Sequence, residues 1–272
     1  MQITNDIMSL NEKNASTLES QHVHDVYENI ASHFSETRQK PWPNVVKFLN
    51  KSRPGAIVLD VGCGNAKYFT NTTDIYQLGC DRSTQLAQIC KNRNHQVFNC
   101  DCLQLPIRSN CVDLCISIAV LHHLATSDRR LKALKEINRV LAVGGQALVY
   151  VWAKEQCRNQ NLSTYLKQSK VNNKHKPESL VESTKEFCVE SIDVNLPIHT
   201  NRSNFIHNDL LVPWKLNQKK EQEKESETHL RYYHVFEECE LKLLCEQIND
   251  CKVIDYYYDQ GNWCVIFEKI KI

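Results

Sequence analysis

The segment LDVGCGNAKYF (59–69) places small residues, an acid and a lysine where a ligand could be held. Backbone N–H groups at a glycine-rich strand–helix turn suit an anionic group, and glycine lets the chain approach closely. A dinucleotide loop would read G-x-G-x-x-G, but its third position here is Lys67, and a G-x-x-x-x-G-K-[ST] phosphate loop is absent. What stands here is D-x-G-x-G-x-A, built from Asp60, Gly62, Gly64 and Ala66. Asp60 ends one apolar strand, Asp81 ends the next in LGCD, and Asp101 ends a third in FNCDC. A lone acid at a strand end is commonly a turn former. Three at successive strand ends, on the face where open α/β sheets bind ligands, point to a shared site. The first favours a cationic ligand over a pyrophosphate, the second can accept two ribose hydroxyls, and the third lies where an adenine edge would sit. S-adenosylmethionine carries an ammonium, a sulfonium and a ribose diol, and it meets all three.

Those residues need a scaffold, and the patterning supplies one. AIVLDV (56–61) is a wholly apolar run, as expected of a strand buried on both faces of a parallel sheet. Strands at IYQLGC, QVFN, CVDLCISIAV and QALVYVW alternate with helices over 83–91 and 127–140. That alternation predicts a doubly wound parallel sheet. Upstream, Val23, Val26, Tyr27, Ile30 and Phe34 recur at helical spacing, and Pro43 suits the first turn of a second helix. The 127–140 helix is expected to end on Gly144 and Gly145. Residues 240–248 read as a helix, and the chain closes in a hairpin around Asp259, Gln260 and Gly261. The polar N-terminus (1–19) reads as disordered. Residues 20–272 then form one domain with a largely flexible insertion at 154–228, within which 196–214 stays apolar enough to dock as a lid.

A composition of 42% hydrophobic and 24% charged residues is globular rather than disordered or fibrous. No apolar run is long enough for a bilayer span, and no signal peptide is visible. The 13 cysteines lack paired CxxC spacing, so they read as reduced thiols of a cytoplasmic or nuclear protein, mostly small core residues, with no metal set. A net charge of +1 makes the chain no polycation. Any nucleic-acid contact must then rest on a local excess such as RQKPWPNVVKFLNKSR (38–53), whose bland alternative is a solvated helix face.

With HVHDVYENIASHFSETRQKPWPNVVKFL, DVGCGNAKYF, LGCDRS, CDCLQLP, SIAVLHHLAT, LVPW, RYYHVFEECEL and YYDQGNWCVIFEK in view, the chain resembles the class I S-adenosylmethionine-dependent methyltransferases. Within them it resembles the tRNA wobble-uridine carboxymethyl methyltransferases, and most of all the methyltransferase part of animal members that also carry RNA-recognition and dioxygenase domains. The likeness covers nearly everything outside 1–19, 157–195 and 217–228, which leaves those extra domains no room here. Ala66 departs from the family's usual glycine.

The resemblance implies a Rossmann-like, mostly parallel seven-stranded sheet with a C-terminal antiparallel hairpin. It also implies methyl esterification of 5-carboxymethyluridine at the tRNA wobble position. Asp60, Gly62, Cys63, Gly64, Asp81, Asp101, Cys102 and Ala119 would then hold the cofactor. Arg38 and His122 would act at the transferring methyl, with either His122 or His123 facing the substrate. Lys40, Trp42, Trp214, Arg231, Tyr232, Asn262 and Trp263 would line the nucleotide pocket, with His234 near them. Apart from the resemblance, the survival of Arg202 and His199 in an otherwise polar insertion points to contact with a tRNA anticodon loop. A small zinc-binding activator subunit is the implied protein partner, with zinc belonging to it. Two rivals remain: a small-molecule methyltransferase, and a non-catalytic regulator that binds cofactor or tRNA. The first leaves TRQKPWP, LVPW, RYYHVF and DQGNW unexplained, and retention of TRQKPWP favours activity over the second.

Overall fold

In the computed structural model of the chain, residues 10–70, 73–167, 185–216 and 228–271 are described. The apolar runs become the sheet. β1 (Ile57–Val61), β2 (Tyr76–Asp81), β3 (Val97–Asn99), β4 (Val112–Ile118) and β5 (Leu141–Trp152) pair in parallel in the order β5-β4-β1-β2-β3. Parallel strands require crossovers, which here include α4 (Thr84–Asn92) and α5 (Ser127–Val140). Ser83 and Thr126 start these two helices by accepting the Leu86 and Arg129 N–H groups. Each such cap is worth about 1 kcal/mol.

β6 (Cys157–Arg158) and β7 (Asn161–Leu162) form a short pair followed by α6 (Thr164–Lys167). β8 (Glu186–Val189) pairs with β9 (Val194–Pro197), and β10 (Asp209–Lys215) with β11 (Thr228–His234). After α7 (Glu240–Glu246), the expected hairpin forms from β12 (Cys251–Asp259) and β13 (Asn262–Lys269). β13 runs antiparallel to β5, completing seven strands. Leu134, Ile137 and Leu241 pack on one face of the sheet, and Val45, Phe48 and Leu49 of α3 (Pro43–Leu49) pack on the other. Pro43 occupies the first turn of α3, as its missing N–H predicts.

Three expectations are corrected. Residues 12–19 are helical rather than frayed: α1 (Glu12–Glu19) leads through one wide turn at Ser20–His24 into α2 (Asp25–Thr37). Its apolar stripe is only Ala15 and Leu18, both fully buried, which hides it in a polar sequence. Glu19 anchors it, pairing with the buried Arg129 of α5 at 2.7 Å and accepting the Ala125 N–H at 2.8 Å. Second, α5 does not end on the glycines. Leu141 already begins β5, and Gly144 and Gly145 sit where pairing with β4 slips from Val112↔Leu141 to Leu114↔Gln146. Third, the described parts of the insertion form strands that pack: Leu196, Leu211 and Val212 are buried. The rest of that insertion, 168–184 and 217–227, lies outside the described residues, as do 1–9. All 13 cysteines are free, six of them buried.

Candidate functional site

A cleft of about 1160 Å3 opens at the C-terminal ends of β1, β2, β4 and β5, walled by α2 and by β10 and β11. The strand-to-loop break after Val61 turns on Gly62, whose φ is +76°. A Cβ there would lie 2.3 Å from Val120 Cγ2, so glycine is required for contact with the loop after β4. The loop amides are not available to an anion. Gly62 and Cys63 both donate to the Cys80 carbonyl, at 2.8 and 2.9 Å, and Gly64 donates to Asp81 Oδ2 at 2.8 Å. This removes the anionic-group reading of the loop and leaves the acids to define the ligand.

The three acids converge on the cleft. Asp60 is buried and its Oδ2 has no hydrogen-bond partner. Burial, with Asp81 adding to it, pushes the Asp60 carboxyl up to about 8, against the pull of Lys67. Lys67 is itself pulled down to about 8 by burial, its Nζ 5.0 Å from the Trp42 ring and 4.9 Å from that of Tyr68. A buried carboxylate without donors is unfavourable by itself and favourable beneath a cation. Asp81 accepts one N–H on each oxygen, from Gly64 and from Ser83 at 2.9 Å. With the Arg82 N–H also directed at it, the carboxylate still keeps acceptor capacity for a hydroxyl. Asp101 accepts the Leu103 N–H at 2.9 Å and faces Arg82 at 3.6 Å. Cys63, Cys102 and Ala119 also line the cleft. Ala66 and Ala119 adopt left-handed φ of +57° and +62°, which costs about 1–2 kcal/mol each for a residue with a Cβ.

The two histidines are distinguished by their bonds. His123 Nδ1 lies 2.9 Å from the Tyr232 carbonyl and must donate to it, so Nε2 accepts the Tyr27 hydroxyl at 3.0 Å. Burial lowers His123 to about 3, so the ring is neutral with both nitrogens committed. His122 is held well below its ordinary value by burial, has no partner at Nδ1, and packs at 4.6 Å on Tyr233. Both line the cleft, and neither carries charge at neutral pH.

Positive charge comes from arginine. Arg231 is buried, donates to Tyr233 Oη at 2.7 Å and leaves Nε unpartnered. Its guanidinium lies 4.6 Å from the Trp214 ring centroid, and that of Arg38 lies 5.0 Å from the same ring. Arg38 reaches solvent at the rim, but crowding by the cleft wall, with Arg231 adding to it, still holds it below the ordinary arginine value. Neither enters an ion pair among the described residues. A buried arginine cannot shed its proton and calls for an anion. Lys40, Trp42, Arg202, Trp214 and Asn262 lie on the same cleft.

Four expected residues do not reach it. Tyr232 is fully buried, its hydroxyl donating to Asp209 and lying 3.3 Å from the Ala125 carbonyl, and His234 bonds Asp209 and Glu240 at 2.9 and 2.8 Å on the same side of β11. The alternation of a strand explains this: Arg231 and Tyr233 face the cleft, Tyr232 and His234 the opposite side. Trp263 is buried against Tyr256 and Tyr258, its Nε1 bonded to Glu155. His199 is buried too, tied to the Tyr165 hydroxyl at 2.9 Å. The residues missed are Tyr27, Trp152, Gln156, Tyr165 and Tyr233. The period of two in RYYHVF was the available signal for Tyr233; the others are brought in only by tertiary packing.

Residues 59–149 match the family described as a methyltransferase domain. Over 300 aligned residues the chain is 44% identical to the tRNA (carboxymethyluridine(34)-5-O)-methyltransferase ALKBH8 of Macaca fascicularis, covering 95% of this chain and 45% of that protein. It thus spans about half the length of that relative. It is 35% identical to the tRNA (carboxymethyluridine(34)-5-O)-methyltransferase of Schizosaccharomyces pombe, covering 92% of this chain and 97% of that one. Its fold matches a S-adenosylmethionine-dependent methyltransferase structure from Clostridium acetobutylicum, with a TM-score of 0.57 at 12% identity over 90% of this chain and 99% of the other.

Proposed function

Because this chain belongs to the tRNA (carboxymethyluridine(34)-5-O)-methyltransferase family, we propose that it methylates the carboxylate of 5-carboxymethyluridine at the tRNA wobble position, using S-adenosylmethionine. The observation that carries the reading is the pair Arg231 and Arg38, unneutralised by any ion pair among the described residues and stacked on one tryptophan in the cleft. Such a pair fits an acceptor that is itself an anion.

A carboxylate with a pKa near 4 is ionised at neutral pH, so the nucleophile needs no general base. The chain's task is alignment and exclusion of water. His122 and His123, both neutral, suit a wall rather than a proton acceptor. His122 and Tyr233 form that wall beside Arg231.

The cofactor, when bound, supplies an electrophilic methyl on a sulfonium. The residues present fit it: Asp60, with its unpartnered oxygen, would hold the ammonium. Asp81 would take the ribose hydroxyls, Asp101 and Cys102 would flank the adenine, and Gly62, Cys63, Gly64 and Ala119 would supply the close main-chain surface. Lys40, Trp42, Trp214 and Arg202 would meet the anticodon loop, in a cytoplasmic or nuclear protein working with a small zinc-binding activator subunit.

The test is direct. The chain is incubated with its activator subunit, isotope-labelled cofactor and tRNA carrying 5-carboxymethyluridine. A base-labile methyl ester is expected on the wobble nucleotide. Measurable cofactor binding without transfer would refute the reading.

A further inference from the structure

At the end of the cleft formed by the C-terminal hairpin, Asn262 leaves one polar atom without a partner. Its Nδ2 donates to the Asp259 carbonyl at 3.0 Å and to the Gln260 carbonyl at 3.5 Å. Two carbonyl partners fix which end of the amide is nitrogen, because an oxygen there would face two acceptors. Oδ1 is therefore the free end, buried and without a donor, on a residue only 6% exposed that lines the cleft. An unsatisfied buried acceptor costs about 1–3 kcal/mol and is expected to find a donor in function.

The surroundings hold that oxygen in place. The β12–β13 turn has positive φ at Gln260 (+49°) and Gly261 (+90°), the pattern of a tight hairpin. A Cβ on Gly261 would meet Gln156 Oε1 at 2.5 Å, so the insertion clamps the tip. Gln156 Nε2 donates to the Ala153 and Gly261 carbonyls at 2.7 and 3.0 Å, and Gln156 Oε1 accepts from Ser163 at 2.8 Å. Both side-chain donors of Gln156 are thus spent, and its amide has none left for Asn262.

Asn262 pairs in register with Trp152, which places the two side chains on one face of the sheet. The Trp152 ring lies 5.2 Å from that of Tyr233, whose hydroxyl accepts from Arg231. The orphan acceptor and the unneutralised guanidinium are thus linked across two aromatic rings.

We propose that Asn262 Oδ1 accepts the imide N3–H of the target uracil while the arginines hold its carboxymethyl group, making Asn262 the residue that selects uridine over cytidine. The inference rests on the activity proposed above. Uracil presents an N–H at N3, whereas cytosine presents a lone pair there and would set acceptor against acceptor. A site built around a polar group rejects an analogue that cannot satisfy it.

The experiment uses the full chain with its activator subunit and anticodon stem-loops bearing 5-carboxymethyluridine, its N3-methylated form, or 5-carboxymethylcytidine. The wild-type protein is expected to prefer the first by about 100-fold in kcat/KM over either analogue. Asn262→Ala should lower kcat/KM for the uridine substrate about 10- to 100-fold, leave cofactor affinity unchanged, and shrink discrimination to under about fivefold. Wild-type protein that accepts the N3-methylated base or the cytidine equally well overturns the inference whatever the variant does. So does an Asn262→Ala protein that discriminates as the wild type does, or that loses cofactor affinity instead. Absence of transfer to all three substrates condemns the proposed activity, and this inference with it.

Discussion

Arg38 and Arg231 share one aromatic platform, their guanidinium carbons 5.0 and 4.6 Å from the centroid of Trp214. Arg231 is buried and Arg38 is exposed on the rim of the same cleft. Two like charges on one ring, with no ion-pair partner among the described residues, are arranged for an anion rather than for stability.

Replacing Arg231 by methionine should therefore separate stability from activity. Exchanging an unneutralised buried charge for an apolar group of similar length is commonly neutral or stabilising. Arg231→Met should keep the unfolding free energy within about 1 kcal/mol. Methyl transfer should fall by about 100-fold, the equivalent of about 2.7 kcal/mol of lost charge-assisted bonding. Chemical denaturation and single-turnover kinetics check the two halves.

Asp60 makes cofactor affinity depend on pH. Its carboxyl sits at about 8 in the free protein, above the ordinary 3.8, so it is mostly protonated at neutral pH and must ionise beneath a cation. Affinity should rise as pH climbs toward about 8 and level off beyond it, with proton release on binding. Because the native state holds this proton more tightly than the unfolded chain, Asp60 costs the free protein stability as pH rises from about 4 to about 8. Asp60→Asn should flatten both profiles, weaken cofactor binding and raise Tm at pH 8. Calorimetric titration and thermal scans from pH 6 to 9 test this.

Glu19 ties the N-terminal helix to α5. Removing its carboxylate leaves Arg129, itself buried, with only the exposed Glu12 as ion-pair partner among the described residues. Glu19→Ala should cost about 3–5 kcal/mol. A chain lacking residues 1–19 should fare no better, since Ala15 and Leu18 leave the core with it. Urea unfolding of both variants gives the answer; wild-type stability in the truncated chain would contradict the packing described.

Acid should weaken the fold through buried histidines. Burial lowers His123 to about 3 and His199 to about 4, from 6.5. Each binds fewer protons in the native state than in the unfolded chain between those values, so stability is lost as pH falls below about 6.5. His234 acts the other way, its burial outweighed by Asp209 and Glu240. Tm should drop between pH 7 and pH 5, and His199→Phe should reduce the drop. A pH-independent Tm over that range would count against it.

Much of the scaffold was legible because its signals are local. Apolar runs bounded by Gly or Asp, helices opening at Ser83 and Thr126, and the Asp259–Gly261 turn each depend on neighbours in the chain. Asp60, Asp81 and Asp101 were legible for the same reason: each lies within two residues of a strand's C-terminal end, and parallel strands bring those ends together. Helix α1 was not, because what holds it is a partner 110 residues away.

The sequence by itself determined the sheet, the acidic strand ends and the family to which the chain belongs. Only the tertiary structure decided which of two adjacent histidines has its nitrogens committed, and that Tyr233 rather than Tyr232 faces the cleft. It also decided that the loop amides are spent on Cys80 and Asp81. In each case local sequence places a side chain on one of two faces, and the pairing of that face with a distant element chooses between them. The exchange of bonds among Tyr27, His123 and Tyr232, or of register between Asn262 and Trp152, exists only once the chain has closed on itself.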